Sequence, residues 1–310
     1  MKKFALILML SLLLGSCATP GIPPNNTADT DPAEIDGAGR VTATAESADT
    51  DTLPAPSPSD TAEADTTDIA DSTEPAAPQG SGQQSQTDTP PAYPEGDYEP
   101  KVFMYHLILD EPYSIYEDLF VRPSELEEQI GILDSLGYDY AFAEDYGIKP
   151  RPTAILTFDD GYEDNYPEMF PILKKTGAKA TVFLATSLVG TDGYLTEAQI
   201  REMSASGLVS FQSHTVSHCE LSSMSADRIT SELKNSIDYI ESLTGQKVRA
   251  LAYPAGRYSD AAVAEVSKYV DFAYTTKSPS NTPSSDALLL PRWRISRGCS
   301  AASFRSIVTP

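Results

Sequence analysis

Short, β-rich apolar runs alternate with amphipathic segments along the last two thirds of the chain. Several runs are almost continuous in apolar residues, which is typical of parallel strands that are covered on both faces. Seven runs have the composition of strands, at 102–108, 154–158, 180–186, 208–214, 248–253, 272–276 and 288–295. Because parallel strands are joined by crossovers that usually contain a helix, the alternation predicts an α/β fold with a parallel sheet.

Five segments between these runs carry helix signals, with apolar residues at helical spacing and capping residues near their ends. They cover 124–137, 165–177, 196–207, 225–245 and 259–270, and Ser124 is the expected N-cap of the first. Seven strands with six or seven helices predict a small, imperfect barrel, and an open doubly wound sheet is the alternative. In both architectures functional groups gather at the carboxyl ends of the strands.

Residues 1–16 have the pattern of a secretory signal, because Lys2 and Lys3 precede a short apolar run. The run is too short to span a membrane as a mature helix. The letters LGSC, which end at Cys17, resemble the lipobox of bacterial lipoproteins. This resemblance implies cleavage before Cys17, lipid attachment to its thiol, and an exported protein anchored to the envelope membrane. An ordinary signal peptide with an incidental cysteine is the alternative.

Residues 17–100 differ from the rest of the chain in composition. From Ala18 to Pro100 there are 17 acidic residues, one basic residue, Arg40, and almost no aromatic residues. Such a segment buries too little apolar surface to offset its ordering entropy, so we expect a disordered linker. Behind a lipid anchor it would tether the folded part away from a membrane. A passive spacer is the alternative.

Residues 101–310 have the length of one compact domain. They contain 28 acidic and 19 basic residues without a basic stripe, which argues against nucleic acid as a partner. An acidic domain favours a neutral or cationic substrate. Cys219 and Cys299 could form a disulfide in an exported protein, although their sequence separation does not give their distance in space.

The chain has three histidines, and each lies at the end of a predicted strand: His106, His214 and His218. Asp159 and Asp160 end another predicted strand. Two carboxylates in a dry pocket would repel each other, and a divalent cation would remove that repulsion. Two histidines and one carboxylate form a facial metal site. We expect the segment after His214 to turn helically, so that both imidazoles reach one ion. A structural histidine pair is the alternative.

Three short motifs resemble, in order and spacing, those of the polysaccharide deacetylase (NodB-homology) family. They are TFDDG at 157–161, HTVSH at 214–218 and AYPAG at 252–256, and the resemblance covers roughly 101–308. It implies a distorted (β/α)7 barrel of parallel strands and a catalytic domain at 101–310. It also implies a divalent metal, zinc first with cobalt, nickel or iron as alternatives, and hydrolysis of acetyl groups on sugars.

By the same resemblance, Asp159 is the general base, and Asp160, His214 and His218 hold the metal. Two positions depart from the family pattern. Ala252 stands where many relatives have an arginine, and the last predicted strand has no histidine. His106, in FMYH, resembles instead the N-terminal general acid of the circularly permuted branch that includes poly-N-acetylglucosamine deacetylases. A buried structural histidine is the alternative reading of this residue.

The remaining candidates concern the oxyanion and the substrate. By motif position we expect the backbone N–H of Ala255 to donate to the oxyanion. The candidates for substrate contact are Tyr162, Tyr253, Arg292, Trp293 and Arg294, together with Tyr105 as a further aromatic. Arg292 and Arg294 should share one face of the last strand, where a solvated rim is the alternative. Packing is the alternative for the aromatic residues.

These features predict a metal-dependent de-N-acetylase of a polysaccharide that contains N-acetylglucosamine, with the poly-N-acetylglucosamine exopolysaccharide preferred. A peptidoglycan deacetylase or an acetyl-xylan esterase would use the same chemistry. A lipoprotein that binds carbohydrate without catalysis is the alternative of another class. The expected partners are the acetylated polysaccharide and, through the lipid anchor, a membrane.

Overall fold

The computed structural model describes residues 93–94, 96–111, 119–279 and 286–309. The predicted signal peptide, Cys17 and most of the predicted linker lie outside these residues and stay predictions. The folded part begins before the predicted boundary at Lys101, because Tyr98 and Lys149 exchange two backbone hydrogen bonds of 2.9 Å. No helix within the described ranges has the length and apolar character needed to cross a membrane.

The described strands form one large parallel sheet and one small strand pair. The small pair joins β2 (Leu107–Ile108) to β3 (Phe120–Val121). The large sheet has eight strands, which are β1 (Lys101–Tyr105), β4 (Asp139–Tyr140), β5 (Thr153–Asp160), β6 (Ala180–Leu184), β7 (Val209–Ser213), β8 (Ala250–Ala252), β9 (Phe272–Tyr274) and β10 (Trp293–Arg294). Its main path runs β10-β1-β5-β6-β7-β8-β9, with β4 beside β5. All seven predicted strand regions are present, whereas β3 and β4 were not predicted.

The last strand region closes the sheet into a distorted barrel. Leu290 forms a parallel bridge with Tyr274 of β9. Three residues later, Trp293 of β10 pairs in parallel with Phe103 of β1. One stretch of chain therefore contacts both ends of the strand row. The predicted (β/α)7 barrel is confirmed, and the open doubly wound alternative is wrong.

Helices cover the outside of the barrel. They are α1 (Pro123–Ser135), α2 (Met169–Thr176), α3 (Glu197–Ala205), α4 (Ala226–Thr244), α5 (Asp260–Val266) and α6 (Ala301–Val308). The first five were predicted, and α6 was not.

The N-cap of α1 is Arg122 and not Ser124. Pro123 opens this helix because the first helical N–H needs no partner, and the Glu125 carboxylate accepts from the backbone N–H of Arg122 at 3.0 Å.

The strands alternate between two cores. One cluster collects apolar residues from most of the barrel strands and therefore lies inside the barrel: Val102, Ala143, Ile155, Phe183, Ala250, Ala252, Tyr274 and Leu290. Leu156 and Phe158 of β5 belong to the larger cluster beneath the helices. The alternation directs Ile155, Thr157 and Asp159 into the barrel. Trp293 packs with the outer cluster.

Cys299 has a free thiol, so the disulfide considered with Cys219 is not formed.

The Gln212 side chain links β7 to β8, and these two strands pair in register only at Ser213 and Leu251. The buried Gln212 amide oxygen accepts from the N–H groups of Arg249 and Ala250 at 2.8 and 2.9 Å. Its nitrogen donates to the Ser210 hydroxyl and to the Lys247 carbonyl at 3.1 and 3.2 Å. The amide therefore replaces a missing part of the strand ladder.

Replacing Gln212 with Ala should lower the free energy of unfolding by about 2–3 kcal/mol, because buried N–H groups lose their acceptor. Gln246→Ala is the matched control, since Gln246 makes two comparable bonds to β7 from a half-buried position that water reaches. Denaturant unfolding of both variants measures the difference. Equal losses in the two variants would contradict this role of Gln212.

Candidate active site and metal centre

Five predicted site residues meet at the carboxyl ends of the barrel strands. His106 follows β1, Asp159 and Asp160 end β5, and His214 follows β7, with His218 four residues further on. The His106 Nε2 atom lies 3.9 Å from Asp159 Oδ2. Asp160 Oδ1 lies 3.3 Å from His214 Nε2 and 3.1 Å from His218 Nε2. The structure therefore brings all five side chains into one site.

A left-handed backbone at Asp160 places both adjacent carboxylates in this site. Successive side chains of a strand point to opposite faces, so Asp160 should face outward while Asp159 faces inward. Asp160 instead has φ 75° and is followed by Gly161 with φ 80°. Such a conformation costs a non-glycine residue roughly 1–2 kcal/mol. The turn at the end of β5 directs the Asp160 carboxylate toward the two imidazoles.

A backbone contact fixes the orientation of His214. Its Nδ1 atom lies 2.7 Å from the carbonyl oxygen of Ala252. A carbonyl can only accept, so Nδ1 carries the proton and Nε2 keeps its lone pair for a metal ion. The N–H of His214 also donates to the Leu184 carbonyl at 2.8 Å. The ring is therefore held in the tautomer that a metal ligand needs.

The segment from His214 to His218 does not turn helically, which corrects the predicted conformation. Thr215 and His218 have φ 68° and 54°, outside the right-handed helical region. The two rings still approach each other, with centroids 4.8 Å apart. A tight irregular loop, and not helical spacing, brings both imidazoles to Asp160.

Asp160, His214 and His218 fit a divalent metal ion. Their ligand atoms all lie within 4.8 Å of one another. Asp160 Oδ1 is buried and has no hydrogen-bond donor of good geometry among the described residues. Burial alone would raise the pKa of Asp160, but the imidazoles, His218 first, hold it well below its usual range. Two nitrogen ligands and one carboxylate suit zinc, cobalt, nickel or iron.

Asp159 is held by a buried arginine. Arg292 Nη1 and Nη2 each donate to one carboxylate oxygen of Asp159 at 2.7 Å. The guanidinium also donates to the Thr157 hydroxyl at 3.0 Å and to the Thr275 carbonyl at 3.1 Å. Burial alone would raise the pKa of Asp159, yet Arg292 keeps it below its ordinary value. Arg292 is 0% exposed, so it neither contacts substrate nor forms part of a solvated rim.

His106 is mostly buried, with 13% of its side chain exposed. Burial lowers its pKa below the ordinary value, and this effect outweighs the opposing charges of Asp159 and Asp160. Arg294, which is exposed, lowers it further. The imidazolium of His106 is therefore a stronger acid than a histidine in water, and it releases its proton readily.

Two polar residues missed in the sequence hold the chain around His106. The Asn165 side chain donates to the His106 carbonyl at 3.1 Å and to Asp164 Oδ1 at 2.9 Å. Asp164 Oδ1 also accepts from the Ile108 N–H at 2.7 Å. Burial raises the pKa of Asp164 to about 7. The one sequence signal was the polar pair that directly follows the DDGYE stretch.

Most of the predicted substrate-contact side chains are buried. Tyr162 is 3% exposed and stacks on Tyr194 with ring centroids 5.2 Å apart. Tyr253 is fully buried, and its ring lies 5.2 Å from that of Tyr258. Neither ring offers an open face to a sugar, and packing is their role here.

Three further candidates differ in exposure. Trp293 packs with the outer core, on the face of β10 opposite to Arg292. Tyr105 is buried and donates to Gln129 Oε1 at 2.8 Å. Arg294 is exposed and shares a strand face with Arg292, as the alternation predicts. Arg294 therefore remains the one candidate of the five predicted contacts that is exposed at the site.

The predicted oxyanion donor lies in the turn after β8. Ala255 has φ 53°, unusual for alanine, and is exposed. Gly256 follows with φ 65°, and a Cβ atom there would come within 2.1 Å of the Thr276 hydroxyl oxygen. A Cβ atom at position 256 would therefore clash with Thr276, and the positive φ also favours glycine beside Ala255.

Comparisons with known proteins agree on the family. The family model for polysaccharide deacetylases matches residues 147–273. A Bacillus subtilis (strain 168) protein named "Putative polysaccharide deacetylase YxkH" is 32% identical over 216 residues, 67% of this chain and 75% of that protein. The crystal structure of BC0361, a polysaccharide deacetylase from Bacillus cereus, has 33% identity and a TM-score of 0.63, covering 69% of this chain and 70% of that one.

The chain belongs to the polysaccharide deacetylase family, as its three motifs indicate. A Staphylococcus epidermidis protein named poly-beta-1,6-N-acetyl-D-glucosamine N-deacetylase is 29% identical over 164 residues. The matched region is 48% of this chain and 57% of that protein, so little more than half of the relative is spanned. IcaB from Ammonifex degensii shares the fold, with a TM-score of 0.61 at 24% identity.

Replacing Asp164 with Asn should remove a pH dependence of stability. The pKa of Asp164 is about 7 in the folded state and 3.8 ordinarily, so between these pH values the folded state binds one more proton than the unfolded state. The contribution of protonated Asp164 to the free energy of unfolding is fully present below about pH 4 and is lost as the pH rises to about 7. Between pH 4 and pH 8, the measured unfolding free energy of wild type should fall by up to about 4 kcal/mol relative to that of Asp164→Asn.

Asp164→Ala is the control, because it removes the acceptor as well as the charge. It should lose about 1–3 kcal/mol relative to Asp164→Asn at every pH, since the Ile108 N–H loses its partner. A difference between wild type and Asp164→Asn that stays constant from pH 4 to 8 would contradict the raised pKa.

Proposed function

We propose that this chain is a metal-dependent de-N-acetylase of a polysaccharide that contains N-acetylglucosamine, with poly-β-1,6-N-acetylglucosamine as the preferred substrate. The observation that carries the proposal is the combined site: Asp160, His214 and His218 surround one point, while Asp159 and His106 lie beside it. This set provides ligands, a base and an acid for hydrolysis of an amide.

The metal site is the first part of the mechanism. Asp160 Oδ1 and the Nε2 atoms of His214 and His218 would hold the ion. When bound, a divalent ion lowers the pKa of a water ligand and stabilises developing negative charge. Three protein ligands would leave coordination positions open for water and substrate.

Asp159 acts as the general base. Its bidentate bonds to Arg292 keep it ionised and fix its orientation. It removes a proton from the attacking water as the new bond to the acetamide carbonyl forms. Because Arg292 disfavours the protonated form of Asp159, this proton does not stay there. The His106 Nε2 atom, 3.9 Å from Asp159 Oδ2, is the nearby group that can take part in its transfer.

His106 acts as the general acid. An amine leaves poorly as an anion, so the intermediate reverts to the amide unless the nitrogen is protonated. The lowered pKa of His106 favours donation of its proton to the departing amine. Asn165 supports this role by holding the His106 carbonyl at 3.1 Å.

The backbone N–H of the exposed residue Ala255 is proposed as the oxyanion donor, since Ala255 follows the carboxyl end of β8. A backbone donor held in a fixed turn stabilises charge in the transition state without reorganisation. Arg294 is proposed as a rim contact for the hydroxyl and carbonyl oxygens of neighbouring sugars, because its side chain is exposed near His106.

The substrate is proposed from the relatives. The name of the Staphylococcus epidermidis relative specifies a deacetylase of poly-β-1,6-N-acetylglucosamine. A histidine before the first motif fits that branch, whereas peptidoglycan or acetylated xylan would use the same catalytic groups. A binding protein without catalysis is disfavoured, because every expected base, acid and ligand side chain is present in the site.

Purified full-length protein loaded with zinc or cobalt should release acetate from β-1,6-linked N-acetylglucosamine oligomers. Asp159→Asn should slow this release by roughly 10²–10⁴-fold, since the general base is lost. His106→Gln is the second variant, because it keeps the Asp159–Arg292 pair, and it should show a loss of similar order. Both variants should bind one metal ion per chain, as is expected of wild type.

A substrate panel separates the parts of this proposal. Faster release from chitin oligomers, peptidoglycan or acetylated xylan than from β-1,6-linked oligomers would overturn the proposed substrate and retain the deacetylase. No acetate from any of these by metal-loaded wild type would overturn the enzymatic function.

A further inference from the structure

A buried carboxylate on α4 faces the loop that carries both histidine ligands. Glu232 is 3% exposed, and none of the three motifs contains it. It takes no part in the mechanism described above, and its distance in sequence from His218 gives no hint of contact. Its position raises the question of why a carboxylate is buried behind the metal site.

The Glu232 carboxylate accepts four hydrogen bonds, three of them from this loop. Oε2 accepts from the backbone N–H groups of Val216 and Ser217, both at 2.9 Å. Oε1 accepts from the Ser217 hydroxyl at 2.8 Å and from Arg228 Nη2 at 2.8 Å. All four hydrogen-bonding partners are donors, so both oxygens must act as acceptors.

These bonds fall at the point where the loop adopts its unusual conformation. Val216 and Ser217 lie between Thr215 and His218, which both have positive φ. The carbonyls of the same loop are also bonded, since Thr186 N–H donates to the Thr215 carbonyl at 3.1 Å and Ser187 N–H donates to the Val216 carbonyl at 2.9 Å. Glu232 supplies the matching partner for the N–H groups.

The two histidines differ in their dependence on this support. His214 is anchored independently, through the Ala252 carbonyl and the Leu184 carbonyl. His218 directly follows the two residues that Glu232 holds. A shift of those residues would move the His218 ring away from Asp160 while leaving His214 in place.

We propose that Glu232 is a positioning residue that fixes the His214–His218 loop so that His218 completes the metal site. The inference rests on the metal site of the proposed function and adds to it a determinant of metal affinity outside the ligand set. Groups of this kind, which orient ligands without touching the ion, commonly change metal affinity by about 10–100-fold.

The test measures zinc affinity of the full-length protein, stripped of metal with a chelator, by competition with a chromophoric chelator. Glu232→Ala should weaken zinc binding by about 10–100-fold. Glu232→Gln should be intermediate, because its amide oxygen can still accept from Val216 and Ser217 while its NH₂ group faces the Arg228 donor. The cobalt-loaded variants should show an altered visible absorption spectrum, which reports ligand geometry directly.

Arg228→Met is the matched control. It removes the partly exposed cation and leaves the carboxylate bonded to the loop, so zinc affinity should stay within about threefold of wild type, well below the change expected for an orienting group. Unfolding of the metal-free proteins is measured in parallel. A merely structural role would lower stability and leave the zinc affinity and cobalt spectrum of the folded variants unchanged. If Glu232→Ala does not fold, the zinc affinity and cobalt spectrum of Glu232→Gln are compared with those of wild type instead.

The outcomes separate this inference from the proposed function. Wild-type binding of one zinc ion with unchanged affinity in Glu232→Gln and Glu232→Ala would overturn the role of Glu232 alone. Wild type that binds no zinc, cobalt, nickel or iron would overturn the metal site and this inference with it. Weakened binding in the Glu232 variants together with normal binding in Arg228→Met supports the inference.

Discussion

The buried ion pair between Arg292 and Asp159 determines how the rest of the site works. A lone charge in the barrel interior would be strongly disfavoured, so each partner requires the other. Arg292 donates two further hydrogen bonds, to Thr157 and Thr275, which lie on different parts of the barrel wall. Because Asp159 is bound in this way, its neighbour Asp160 is the carboxylate left for a metal ion. Two identical adjacent residues thereby acquire different partners.

Backbone strain in this protein is concentrated at the site. Among the described residues, the non-glycine residues with positive φ are Asp160, Thr215, His218 and Ala255. All of them lie in the three motifs. Glu232 bonds the loop between Thr215 and His218, and Thr276 lies close to Gly256, which follows Ala255. Strained residues persist where surrounding structure fixes them, and here that structure is the barrel and α4.

The fold and the five central side chains could be predicted from sequence because strand periodicity and short motifs are local signals. The role of Arg292 could not, because an arginine on a strand next to an exposed Arg294 looks like part of a rim. Its partner lies more than a hundred residues away in sequence. Ala252 lies in the interior cluster, and in this chain the guanidinium that binds Asp159 comes from the last strand. The irregular histidine loop depends on Glu232 in the same non-local way.

The division of labour between the two aspartates is tested most directly by a crystal structure of the zinc-loaded protein, with anomalous data collected at the zinc edge. The account predicts one anomalous peak within bonding distance of Asp160, His214 and His218. It also predicts that Asp159 keeps both bonds to Arg292 and does not coordinate zinc. A zinc ion ligated by Asp159 or His106, or a guanidinium withdrawn from Asp159, would contradict it.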